Sequence, residues 1–442
     1  MTKPWRNITT IWSDKKNCVF VFISVNLTEN STSNDSYHDY KEERMNLSKN
    51  KLDPFFLGAF LVYITVYSSA FKQIFTSNIW QYITYVMYIV LYGIFIVQQI
   101  GKTQTVKQWL YVFILSLFMF FYLFRGNLNV GSIFLLGLYT INLMSIRSVL
   151  KVYLFSFSIS LLVIGSLCVL KILPIHDSLN GMLVFGFRNP NSTGFYVTCI
   201  LLLHCTLNWE RFSVINWLEF PIVGILLLRL EDDTALILVV IMLLVKLTYP
   251  FFERLFKFKF VYYSIVLLPI ILLGICLWIG INYNNYNFMM KLDDVFTSRP
   301  SIWNYYLTNY KINLFGNQLP DVVLHGVNRT VGHGAFDGEF IYFPIINGLI
   351  AFIGLMGLLI FSLRKLLRSK QYTVLILFIL YIISAVSENQ LFIPFQCPVA
   401  VLMILICYPG FKFERNQDEI EKDNYNSDRP NGRSRWGRDR SY

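Results

Sequence analysis

Three segments of this chain carry residue types suited to gripping an anionic group and moving a proton. The first runs Phe185-Gly186-Phe187-Arg188-Asn189-Pro190-Asn191-Ser192-Thr193-Gly194. Gly186 and Gly194 permit tight backbone, Pro190 fixes φ at a helix start, and Asn191 or Ser192 can cap the helix that follows. A helix N-terminus presents N–H groups and the positive end of the dipole. Arg188 beside it makes a phosphate site, with Asn189 and Asn191 as further donors. The plainer reading of Arg188 is an interfacial arginine reaching for water.

The second segment is Thr297-Ser298-Arg299-Pro300-Ser301-Ile302-Trp303. It reads as an N-cap and a short helix over Trp303, Tyr306 and Tyr310. A guanidinium grips pyrophosphate oxygens in pairs, and aromatic rings stack on sugars. The third segment brings His333, Asp337 and Glu339 together. A histidine or carboxylate in reach of a sugar hydroxyl serves as general base; Asp337 can equally cap the next helix. Arg229 is a further ligand candidate, although pairing with Asp232 or Asp233 would make that turn a self-neutralised hairpin. Glu219 and the turn Glu388-Asn389-Gln390 are weaker suspects. No metal site is expected: the 7 cysteines contain no CxxC pair, and the 5 histidines do not cluster with them. No cofactor is implied.

The elements that must position these residues are apolar. The chain is 55% hydrophobic and only 15% charged, with a mean hydropathy of +0.49; a soluble domain is nearer about 25% charged. Runs long enough to cross a bilayer recur near 54–71, 80–99, 108–124, 127–145, 149–173, 192–209, 213–229, 233–250, 261–280, 340–363, 372–388 and 391–408. They predict an all-α, polytopic transmembrane bundle of about twelve spans. The third and fourth are parted only by Arg125-Gly126-Asn127. Continuous rather than alternating apolar runs exclude a β-barrel.

Lys and Arg set the orientation. Lys102 and Lys107, Arg147 and Lys151, Arg211, the run from Lys246 to Lys259, and Arg364 to Lys370 fall on one side, which is then the cytoplasm, with both termini. The net charge of +11 is mostly this signal. No folded basic domain exists to carry nucleic acid. Residues 1–53 form a cytoplasmic segment, and the composition break at Met45 predicts a true start there, with 1–44 either a mis-called extension or a disordered arm. Residues 54–408 form the membrane domain, and 409–442 a disordered basic tail. Two outward loops, 174–191 and 282–339, exceed hairpins; the second, between spans nine and ten, is roughly 60 residues, far beyond the usual helix connection. Its aromatics suit it to fold on the membrane surface.

The order of these parts resembles the bacterial O-antigen polymerase and O-antigen ligase superfamily, which includes capsule and exopolysaccharide repeat-unit polymerases. Gly186-Phe187-Arg188-Asn189-Pro190-Asn191 through Gly194 is similar to that family's glycine/aromatic–Asn-Pro-Asn–glycine turn. Ser298-Arg299 to Trp303, then Leu314-Phe315-Gly316, resembles its Arg–Trp–Gly stretch. Asp337-Gly338-Glu339-Phe340 followed by Gly348 resembles its His/Asp-Asn-x-Tyr start of the next span. Two positions depart: Asp232-Asp233-Thr234-Ala235 stands where the family often has Ser-Arg-(Thr/Gly)-Ala, and Gly338 replaces the usual Asn. Aspartate rather than histidine at position 337 leans toward polymerase.

The resemblance implies a glycosyltransferase of the plasma membrane that joins polyprenyl-pyrophosphate-linked oligosaccharide repeats at the outer face. Arg188 and Arg299 would hold the pyrophosphate, and Asp337 or His333 would act as base. The partners implied are the lipid-linked substrate, the bilayer, and flippase and chain-length regulator proteins. A ligase passing glycan to another acceptor is the near alternative. A transporter or lipid-linked oligosaccharide flippase is the distant one; charge concentrated in two loops on one face favours the enzyme.

Overall fold

A computed structural model describes residues 52–75, 78–176, 181–187, 189–210, 213–296, 298–317 and 337–413. The segment 1–51, Arg188, His333, the remainder of the long loop and the tail from 414 lie outside the described residues. The helices are α1 (Leu52–Ser68), α2 (Phe71–Ile74), α3 (Ile79–Ile100), α4 (Val106–Phe124), α5 (Leu128–Leu143) and α6 (Ile146–Val169). They continue as α7 (Pro190–Leu207), α8 (Val214–Leu230), α9 (Asp233–Leu247), α10 (Tyr249–Leu255), α11 (Lys259–Asn282), α12 (Asn287–Val295) and α13 (Arg299–Asn309). The last are α14 (Glu339–Asn347), α15 (Leu349–Arg368), α16 (Tyr372–Ser384) and α17 (Val399–Cys407). No β-strand occurs among the described residues.

The helices α3, α4, α6, α11 and α15 are long and apolar enough to cross a membrane, and α9 with α10 makes a further candidate bent by 84°. Their outward faces carry large apolar side chains such as Ile89, Val97, Leu162 and Ile275, surface that water would penalise and lipid accepts. The buried centre is α5, α16 and α17. They are apolar around most of their circumference because they meet other helices rather than lipid. Around them α1 packs on α6, α5 on α4 and α17, and α7 on α6, α8 and α9.

Helix ends follow local chemistry. Thr105 and Gln108 form a capping box at α4, and Asn127 and Ser145 cap α5 and α6. Three expected spans differ. The run 340–363 breaks at Gly348, whose φ of 94° needs glycine. A Cβ there would lie 2.5 Å from the Phe315 carbonyl carbon, and one on Gly316 would lie 2.1 Å from the Ile346 oxygen. The two glycines let the turn at residues 313–317 press against the break. In exchange Leu349 and Ile350 donate to the Asn313 and Leu314 carbonyls at 3.0 and 3.1 Å, which satisfies the α15 N-terminus. The run 372–388 ends at Ser384, and 391–408 is helical only as α17. Between them, 385–398 is irregular backbone largely buried within the protein.

Candidate functional site

Arg299 opens α13 and is only 6% exposed. Its Nη2 lies 2.9 Å from Glu388 Oε1 and 3.3 Å from Asp337 Oδ2. Nε donates to the Ser387 carbonyl at 2.8 Å and Nη1 to the Phe296 carbonyl at 3.3 Å. Each of the three guanidinium nitrogens therefore has a protein partner. The expected open clamp for pyrophosphate is replaced by a closed ion-pair cluster, because a buried charge demands compensation where it sits.

The backbone explains how Arg299 is aimed. Ser298 adopts φ 65° and makes no side-chain cap. The cap expected from Thr297 or Ser298 comes instead from Asp293, whose Oδ1 accepts from Ser301 N at 2.8 Å. Trp303 and Tyr306 are 1% and 3% exposed, so the expected stacking on sugar rings is not available to them. Trp303 has a positioning role: its Nε1 donates to the Asp337 carbonyl at 3.1 Å. Gly338 has φ 95°, and a Cβ there would come within 2.3 Å of Trp303 Nε1. That contact accounts for the glycine at this position.

Asp232 completes the cluster. It is 4% exposed and caps α9 through Oδ1, accepting from Ala235 N at 3.0 Å. Its neighbour Thr234 meets Ser387 Oγ at 3.3 Å. Oδ2 occupies the space beside Gly194, where a Cβ would lie 2.3 Å away. The start of α7, the turn at Asp232, the start of α13, the start of α14 and the 385–398 segment thus converge. Asp232 faces inward, and among the described residues no ion pair links Arg229 to it or to Asp233. Arg229 is exposed on α8, away from the role of ligand expected for it.

The cluster holds more acid than base. Burial pushes the Asp232 carboxyl up to about 6, against the lowering pull of the Ala235 N–H and of Arg299. Burial also raises Asp337, which Arg299 lowers. Glu388 is raised by burial and then by the Asp337 charge. Carboxylates crowded round a single guanidinium cannot all ionise cheaply, so the cluster retains a proton near neutrality. Glu339, just ahead of its apolar run, is 1% exposed and burial pushes it up to about 8. Its backbone N–H donates to the Ala385 and Glu388 carbonyls at 2.9 and 3.2 Å. It is a buried wall of the site, not the surface ligand expected.

Asn189, rather than Asn191 or Ser192, caps α7: its Oδ1 accepts from Ser192 N at 2.8 Å, and Pro190 follows at the first helical position. Asn191 is half-buried on the first turn. Glu219 lies apart, 2.8 Å from His204 Nδ1 between α7 and α8. Among the described residues no group of His, Cys, Asp and Glu is arranged to hold a metal ion. Glu388 and Asp232 carry little signal in the sequence: each is only an acid in a short turn between apolar helices. No protein-family model, curated protein or solved structure matches the chain.

Proposed function

We propose that this chain is a polysaccharide polymerase that joins polyprenyl-pyrophosphate-linked repeat units at the outer face of the plasma membrane. The observation that carries the reading is the convergence of Gly194, Asp232, Arg299, Asp337 and Glu388, from five separate segments, on one buried cluster. On this reading the chain crosses the bilayer about twelve times, both termini are cytoplasmic, and the loop 282–339 is external. Flippase and chain-length regulator proteins are its expected partners.

The chemistry is a glycosyl transfer. The bond from the donor's anomeric carbon to the pyrophosphate oxygen breaks, and its electron pair leaves with the pyrophosphate. The acceptor hydroxyl forms the new glycosidic bond and gives its proton to Asp337. Arg299 links the two halves of this exchange. Its Nη2 is shared between Asp337 and Glu388; when Asp337 takes up the proton its pull on the guanidinium weakens. The freed N–H then turns to the departing pyrophosphate, where negative charge is growing. Arg188 remains a second candidate for that charge, and His333 an alternative base.

A broken helix at Gly348 and irregular backbone at 385–398 beside a buried ion cluster also suit a lipid-linked oligosaccharide flippase. A ligase would use the same cluster with a different acceptor. The discriminating experiment uses purified full-length protein in detergent micelles, which have no two compartments, supplied with a lipid-linked repeat as the sole saccharide. A polymerase lengthens the glycan, and Asp337→Asn abolishes the lengthening. A flippase or ligase yields no longer product, which would overturn the reading.

A further inference from the structure

At the end of the bundle away from the acid cluster, α9 turns through 84° into α10. Helix length separates the two ends. Asp232 of the cluster caps the start of α9, and the 15 residues of α9 then rise about 22 Å at about 1.5 Å each. Two other helices cover the same interval. α7 begins with Gly194 beside Asp232 and ends two residues before Trp209, whose ring lies 4.9 Å from that of Tyr249 at the start of α10. α16 ends just before Ser387 and begins at Tyr372, whose ring lies 5.2 Å from that of Phe256. A helix bent by nearly a right angle from one that crosses a bilayer runs along the bilayer surface.

The side chains suit that depth. None of the 7 residues of α10 is fully buried. Phe251, Phe258 and Phe260 are 60%, 61% and 82% exposed, and the exposed cations Arg254, Lys257 and Lys259 alternate with them. Trp209, Tyr249 and Tyr372 are ring types enriched where acyl chains meet water. Some cations here are already engaged by the protein. Lys246 donates to the Trp209 carbonyl and stands 4.3 Å from the centre of its ring. Lys257 pairs with Glu253 at 3.4 Å, and Lys365 donates to the Ile406 carbonyl at 2.8 Å. Glu253 is the one acid in 246–260, and 361–372 contain none, so both segments carry a net positive charge. Arg254 and Lys259 are exposed on the first, Arg368 and Lys370 on the second.

This pairing of charge with exposed rings has a chemical preference. Phenylalanines that water penalises are accepted among acyl chains, and cations at the same level meet phosphate. Phosphatidylcholine brings its own cation to offset its phosphate, whereas an acidic headgroup keeps a net negative charge for the protein to meet. A soluble phosphate gives the phenylalanines nothing to enter. We infer that the α9–α10 elbow, with the α15–α16 turn beside it, is a docking surface for the headgroup of an acidic phospholipid. Arg254 and Lys259 supply the charge, and Phe258 and Phe260 enter the acyl layer. The inference is independent of the polymerase reading: it concerns the other end of the bundle, and its test requires no saccharide.

Purified full-length protein in detergent micelles is titrated with phosphatidylglycerol or with phosphatidylcholine, and bound lipid is counted by native mass spectrometry. Wild type should hold phosphatidylglycerol the more tightly. Arg254→Gln and Lys259→Gln should each weaken phosphatidylglycerol about fivefold, the worth of one cation at a membrane surface, and leave phosphatidylcholine unmoved. Phe258→Ser combined with Phe260→Ser should weaken both lipids. All four positions are exposed, so the unfolding midpoint should stay at the wild-type value. Lys107→Gln, at an exposed cation on the first turn of α4, is the control and should change nothing. Equal affinity for the two lipids, or phosphatidylglycerol binding unmoved by both charge substitutions, overturns the surface. So does an equal loss in Lys107→Gln, which would make the effect one of overall charge. Displacement of the lipid by inorganic phosphate also overturns it, by assigning the cations to a soluble anion.

Discussion

Replacing Asp232 by Asn should stabilise the protein above about pH 6 and flatten part of its pH dependence. The substitution keeps the α9 cap, because Asn accepts from the Ala235 N–H as Asp does. It removes only the charge, from a side chain that is 4% exposed. The folded carboxyl is raised from 3.8 to about 6, so the folded state holds a proton that the unfolded state has released. Stability is therefore undiminished below the ordinary value, falls as pH rises from about 4 to about 6, and stays lower beyond. The gap of about two pH units corresponds to about 3 kcal/mol at 1.36 kcal/mol per unit. The measurement is the thermal unfolding midpoint of full-length protein in detergent, wild type against Asp232→Asn, from about pH 4 to about pH 8. The variant should match wild type at the acid end and exceed it above about pH 6. Asp337 and Glu388 titrate in the same direction and remain in the variant, so the slope should shrink rather than vanish. An unchanged slope, or a variant less stable than wild type at high pH, would refute the reasoning; it would mean that attraction to Arg299 outweighs burial.

Arg299→Lys keeps a charge but cannot reach Ser387, Asp337 and Glu388 together; a loss of about 3–5 kcal/mol is expected, read as a lower unfolding midpoint along with lost polymer. Trp303→Phe deletes the hydrogen bond to the Asp337 carbonyl and should cost about 1 kcal/mol of stability; a fall in polymer rate out of proportion to that would show that Trp303 positions the base. Gly338→Ala forces a side chain into φ 95° against Trp303 and should lower the midpoint and the activity together, the cost being on the order of 1–3 kcal/mol. Gly348→Ala should behave alike by parting 313–317 from the helix break, whereas Gly357→Ala, with open space around it, should be silent in the same unfolding assay.

Much of the helical frame was legible in the sequence because lipid imposes a uniform demand. A crossing helix must be apolar along its whole length, so α3 at 79–100 and α4 at 106–124 stand where the runs 80–99 and 108–124 predict them. The hairpin at Arg125-Gly126-Asn127 separates α4 from α5 as read. That Gly316 and Gly348 bring two stretches of backbone into contact was not visible. Hydropathy cannot register a break such as Gly348, since the residues on both sides are equally apolar and only the approach of 313–317 gives the break its hydrogen bonds.

Residue types alone singled out Arg188, Arg299, His333, Asp337 and Glu339 as candidates, since charges flanking apolar helices are few. Their surroundings were a tertiary matter. Glu388 meets Arg299 across 89 positions of sequence, and Asp232 turns away from Arg229 to lie against Gly194, a residue distant from it in sequence. Whether a guanidinium stands open to a phosphate or closed on carboxylates depends on which acids the packing brings within about 4 Å, where the Coulomb energy in a protein is several-fold larger than in water. Local sequence sets the charges and the spans; the buried distances among α9, α13, α14 and the 385–398 segment decide what those charges do.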